Sequence, residues 1–130
     1  MHHLTKLILC LVITNLMAWP ASAHHSDKMF DRNNPVTVKG IVTEFQFTNP
    51  HAWLILDVEN EDGTVTTWGF EAGAPSNLLR ANIRPGDLLP GTLVTITGYP
   101  MHDGRPAAEW IVAVLEDGRE LDPESGFHVR

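Results

Sequence analysis

The stretch that most limits the possible folds is Pro35 to Phe47, a strand-like run with a glycine in its middle. Val36 and Val38 alternate with polar residues, as in a half-buried strand. Past Gly40 the apolar positions move to Ile41, Phe45 and Phe47. A phase change at a glycine predicts a β-bulge there, in a long and strongly bent strand. Small barrels use such a strand to serve two sheets at once.

The rest of the chain fits that start. Trp53 to Val58 alternates, with Leu54, Leu56 and Val58 on one face, and Glu61-Asp62-Gly63 is a hairpin signal leading to a strand over Thr64 to Glu71. Gly73-Ala74-Pro75 stops that strand, and Ser76 reads as the cap of a short helix through Asn82. Arg84-Pro85-Gly86-Asp87 and Pro90-Gly91 are turns, followed by a strand over Leu93 to Tyr99. After His102-Asp103-Gly104 a fifth strand covers Glu109 to Leu115; its apolar centre predicts cover on both faces. Glu116-Asp117-Gly118 returns a short final strand through Leu121. The expected fold is mainly β, a five-stranded OB-fold-like small barrel with one short helix between strands three and four. A small β-sandwich with the helix as crossover is the alternative.

Residues 1–23 read as a signal peptide. Lys6 gives a weakly basic start, Leu7 to Ala18 is apolar, and Ala21-Ser22-Ala23 is a small-x-small cleavage site. The apolar run is too short for a stable membrane anchor. Cleavage after Ala23 would send a chain beginning at His24 to the periplasm or outside. The sole cysteine, Cys10, lies in the leader behind Leu9, unsuited to lipoprotein processing, so the mature chain has no disulfide. Its stability must come from an ordinary apolar core. The expected organisation is an arm over 24–34, pinned by Phe30, the barrel over 35–121 and a loose polar tail over 122–130.

Sixteen Asp and Glu outnumber nine Lys and Arg, a net charge of −7 with neutral histidine. An acidic chain repels phosphate backbones, which argues against nucleic acid as partner.

Several motifs together resemble one family. They are the mature start His24-His25-Ser26, Pro35-Val36-Thr37 with Gly40, Thr48-Asn49-Pro50-His51 with Trp53, Trp68-Gly69-Phe70-Glu71, Leu78-Leu79-Arg80, and Gly98-Tyr99 with Asp103-Gly104. The chain resembles a family of small secreted bacterial proteins catalogued as a domain of unknown function, number 6152. The resemblance spans essentially the whole mature chain. It implies export and a compact β-barrel-like domain, with no assigned reaction. Pro90-Gly91-Thr92 departs from it, standing where Pro-Gly-Asp would be expected, which puts a turn contact in doubt.

One set of residues points to chemistry. An N-terminal histidine offers its α-amine and its ring to a single metal, and a second histidine completes a T-shaped set of three nitrogens, a histidine brace. Such a set suits Cu(II), which heads the affinity order for divalent ions. Cleavage after Ala23 would make His24 that residue. His51, in the loop joining strands one and two, is the candidate third nitrogen, with His25, His102 and Glu71 in reserve. The plainer readings are a mobile arm and a His51 that braces its own turn against a backbone carbonyl, with Asn49 capping the other side. Glu71 is open to three roles: metal ligand, partner of His51 or acid–base group. Its plain alternative is a surface ion pair with an arginine such as Arg80.

The aromatics Phe45, Phe47, Trp53, Trp68, Phe70 and Trp110 suit a barrel core better than a stacking platform, with Trp53 the most exposed. No paired carboxylates, nucleophile elbow, phosphate loop or Cys-His zinc spacing occurs, so an enzyme is expected only if copper does the chemistry. The expectation is a periplasmic binding module for copper. The alternative is an OB-like interaction module that takes a small organic ligand, oligosaccharide or protein through the Asn49–Trp53 loop.

Overall fold

The structure, a computed structural model, describes residues 29–125. The leader, the His24-His25 pair and the last five residues lie outside them.

Six strands form one sheet. They are β1 (Val36–Gln46), β2 (Trp53–Glu59), β3 (Val65–Glu71), β4 (Leu93–Pro100), β5 (Ala107–Leu115) and β6 (Glu120–Leu121). The strand order is β3-β2-β1-β4-β5-β6. A further parallel pairing, Gly69 to Glu71 against Ala107 to Glu109, joins β3 to β5 and closes five strands into a barrel. Closure excludes the sandwich. The short helix α1 (Pro75–Arg80) lies between β3 and β4, completing the OB-fold arrangement.

β1 is the hinge of this barrel. Val36 to Ile41 pairs with β4, and Ile41 to Gln46 pairs with β2. The register shift falls between Val42 and Glu44, so the bulge is at Thr43 and not at Gly40. Gly40 and Val42 both face inward, Ile41 is exposed, and the phase changes only beyond them. The requirement for glycine at position 40 is spatial. A Cβ there would sit 2.7 Å from the carbonyl oxygen of Asp57, where β2 crosses closest.

The hairpin turns follow from their Asp-Gly pairs. Gly63 takes a positive φ of 81°, and the Asp62 carboxylate accepts the backbone N–H of Thr64 at 3.0 Å. The same aspartate-to-backbone bond recurs at Asp103 and Asp117.

Inside the barrel, Val42, Leu54, Leu56, Phe70, Val94 and Ile96 are almost fully buried. Leu78 from α1, together with Ile83 and Leu88, joins the same core at zero exposure. The helix does not begin with a Ser76 cap. Ala74 is the N-cap, no side chain caps it, and Pro75 opens the first turn. Proline does so at little cost because the first helical N–H has no partner within the helix. Burial alternates in β5 except at Ile111 and Val112, both half-buried where the register with β4 shifts, so its outer face is only half covered.

Both ends of the described chain are tied to the barrel. Phe30 is 3% exposed and bridges Met101; the N–H of Asp31 donates to the Pro100 carbonyl at 2.7 Å, and that of His102 to Met29 at 3.0 Å. Phe30 therefore pins the described part of the arm, from Met29 on. At the other end Leu121 and Pro123 are buried, and the indole N–H of Trp110 donates to the Leu121 carbonyl at 3.2 Å. Leu121 and Pro123 thus pack on the barrel, while Glu124 and Ser125 are exposed.

Candidate functional site

Arm, first loop and C-terminal turn meet at one cavity of about 480 Å³. Its polar wall is His51, Glu71, Glu109 and Glu124, and Met29, Phe30, Trp110 and Pro123 supply most of its apolar wall.

Each polar residue has a structural reason to be there. His51 follows the Asn49–Pro50 peptide, which is cis, and precedes Ala52, a fully buried residue held by two backbone bonds. The N–H of Ala52 donates to Gly73 at 3.1 Å, and its carbonyl accepts from Ala72 at 2.9 Å. The loop is thereby stitched to the end of β3, where Glu71 sits. Glu71 pairs with Trp53 across β2 and with Glu109 across the parallel seam to β5. Barrel closure therefore sets two carboxylates side by side.

The two carboxylates have different partners. Glu71 is in contact with His51 through Nδ1. Glu109 Oε1 accepts from the Arg32 guanidinium at 3.0 Å. Its Oε2 lies 2.9 Å from the same nitrogen, shut off from solvent and without an aligned hydrogen. Arg32 also lies over the Tyr99 ring, 5.4 Å from its centroid. Burial raises the Glu109 carboxyl above its ordinary value; Arg32 opposes the shift, and the charges of Glu71 and Glu124 add to it.

Three carboxylates make this an electronegative cavity, suited to a cation. Among the described residues, however, no group of three His, Cys, Asp or Glu side chains is placed to hold a metal ion.

The family model described as a family of unknown function, DUF6152, matches residues 12–109. The chain belongs to that family. No curated protein and no solved structure matches it. Within this DUF6152 member the match takes in His51 and Glu71 and ends at Glu109, leaving Trp110, Pro123 and Glu124 outside. No helix of the described residues is long and apolar enough to cross a membrane.

Of the residues singled out from the sequence, the structure brings His51 and Glu71 together. Asn49 is exposed on the approach to the loop. Trp53 is half-buried and lies across Gly69, whose Cβ would come within 3.3 Å of the indole. Neither Asn49 nor Trp53 lines the cavity, and neither does His102, which is exposed in the turn after Met101. His24 and His25 lie outside the described residues. Phe70 and Trp110 are core, as expected of most of the aromatics.

Met29, Glu109 and Glu124 are not among the candidate site residues of the sequence. For Glu109 a signal existed, a lone carboxylate opening a strand that is otherwise apolar to Leu115.

Proposed function

We propose that this protein is an exported, periplasmic binding module that holds Cu(II) through the amine and ring of the processed His24 and the ring of His51. The observation that carries this reading is the shared cavity. Met29 and Phe30, just downstream of the histidine pair, line it together with His51. Met29 lies five positions after His24. An extended chain over those five steps reaches about 17 Å, and it starts from a residue that itself lines the cavity. Tethered so close, the new N-terminus meets His51 at a high effective concentration.

The donor set favours the same ion. Amine and imidazole nitrogens suit Cu(II), and the surrounding carboxylates add an attractive field. The described residues hold no three-ligand group of their own, so the reading makes binding depend on the terminus.

Calorimetry on protein beginning at His24 tests it, with a competing chelator to set free copper. One Cu(II) should bind per chain. A single residue added before His24, or His51→Ala, should weaken binding more than about 100-fold, as loss of a direct ligand exceeds the roughly 10–100-fold effect of a supporting group. Equal affinity for the extended and native termini would sink the proposal. The intact mass of the exported protein checks the cleavage itself. A cut after Ala21 would leave histidine third, and a cut after His24 would remove the brace.

A further inference from the structure

We infer that Glu71 is the positioning residue of His51: it holds the imidazole as the Nδ1–H tautomer and leaves Nε2 as the donor nitrogen. The inference has three supports. The contact is between the Glu71 carboxylate and Nδ1, not Nε2. An ionised carboxylate only accepts, so the proton between them belongs to Nδ1, and a neutral imidazole carries no second one. Nε2 then has a free lone pair.

The second support is backbone anchoring. Glu71 closes β3 with strand partners on both sides, Trp53 and Glu109. His51 precedes Ala52, which is bonded to Ala72 and Gly73. Neither backbone can shift alone, so the contact is part of the fold.

The third is exposure. The Glu71 side chain is 18% exposed and that of His51 is 53% exposed. The carboxylate is the sheltered member, and more than half of the imidazole side chain stays exposed. A histidine serving only to brace its turn would spend its ring on a backbone carbonyl of that turn. This one is held by a carboxylate from another strand, the arrangement that fixes ring orientation and raises basicity in metal-binding histidines.

The role assigned to Nε2 rests on the copper reading, whereas the tautomer does not. The test therefore has two arms. Nitrogen-resolved NMR of the metal-free protein at about pH 8, above the ordinary imidazole range, reads the His51 tautomer directly. Wild type should show a protonated Nδ1 and a bare Nε2. Glu71→Gln should keep that pattern, because the amide oxygen still accepts, and Glu71→Ala should lose it. In the second arm, Glu71→Ala should lower Cu(II) affinity about 10–100-fold while one ion still binds, with Glu71→Gln between it and wild type.

A wild-type ring protonated on Nε2, or a tautomer indifferent to Glu71→Ala, overturns the inference whatever copper does. A wild type with the expected tautomer that binds no copper overturns the copper reading alone and leaves Glu71 as the group that positions His51.

Discussion

The connection from β3 to β4 begins at one kind of surface and runs into another. At its start, Glu71, Ala72 and Gly73 border a cavity with three carboxylates. A few residues later Leu78, then Ile83 and Leu88, enter the core with no exposed surface. Each region also holds a carboxylate beside an arginine, and the two are perturbed in opposite directions. At Asp87, burial alone would raise the carboxyl. Hydrogen bonds from the Arg119 guanidinium and the Arg84 backbone N–H outweigh it and hold the group below its ordinary value. At Glu109 burial wins over Arg32. The helical region makes an ionised carboxylate comfortable and so adds stability. The cavity keeps one ionised at a cost, and carboxylates of that kind cluster at functional sites.

The comparison can be broken most directly at Leu78. Leu78→Ala should cost about 2–5 kcal/mol, and each kcal/mol lost lowers Tm by about 4–8 °C in a domain of this size. Glu71→Ala should change stability by less than about 1 kcal/mol, because its partner His51 is exposed. Thermal and urea unfolding of the two variants measures the contrast, and similar losses would erase it.

A smaller effect is expected at Gly98, behind the cavity. A Cβ there would stand 2.6 Å from the Glu109 carbonyl oxygen and 2.9 Å from Ala108 Cβ. Backbone must move, so Gly98→Ala should cost about 1–3 kcal/mol in urea unfolding. No loss would mean that β5 yields easily beneath Glu109.

Smaller again are the opposite pH slopes. A raised carboxyl binds its proton more readily in the folded state. Glu109 therefore makes stability fall as pH rises from its ordinary 4.5 through the raised value, and Glu109→Gln should flatten that limb. Asp87 is lowered, so its contribution is present above 3.8 and lost as pH falls through the lowered value; Asp87→Asn should flatten the acid limb. Unfolding free energies across an acid pH series test both signs, and two variants that flatten the same limb would refute the contrast.

The least effect is expected at Trp53. Its indole lies over Gly69 and does not line the cavity, so Trp53→Ala should leave Cu(II) affinity within about twofold, far below the tenfold that 1.4 kcal/mol represents. A fall as large as that from His51→Ala would join the outer face of β2 to the cavity. Loss of a captured partner with copper binding intact would instead favour an interaction module acting through that loop.

Much of the barrel was legible because its signals are local. Alternation along Trp53 to Val58 and Leu93 to Tyr99, and Asp-Gly pairs at 62–63, 103–104 and 117–118, each act over a few residues. The misplacements have physical causes as well. Glycine commonly marks a bulge, yet Gly40 makes room for β2, and Thr43 takes the extra position. Ser76 resembled a cap, but Pro75 had already opened the helix. Within the tail over 122–130, expected to be loose, Pro123 is buried because its cover is a surface that other strands build.

By itself the sequence determined the strands, the inward faces of β2 and β4, the turns and the placing of His51 in the first loop, since period-two alternation and turn chemistry depend on neighbours along the chain. Only the tertiary structure decided that Glu71 stands beside Glu109 and against His51. That meeting requires β3 to close on β5 in parallel, and such a pairing between distant segments is set by the geometry of the whole barrel.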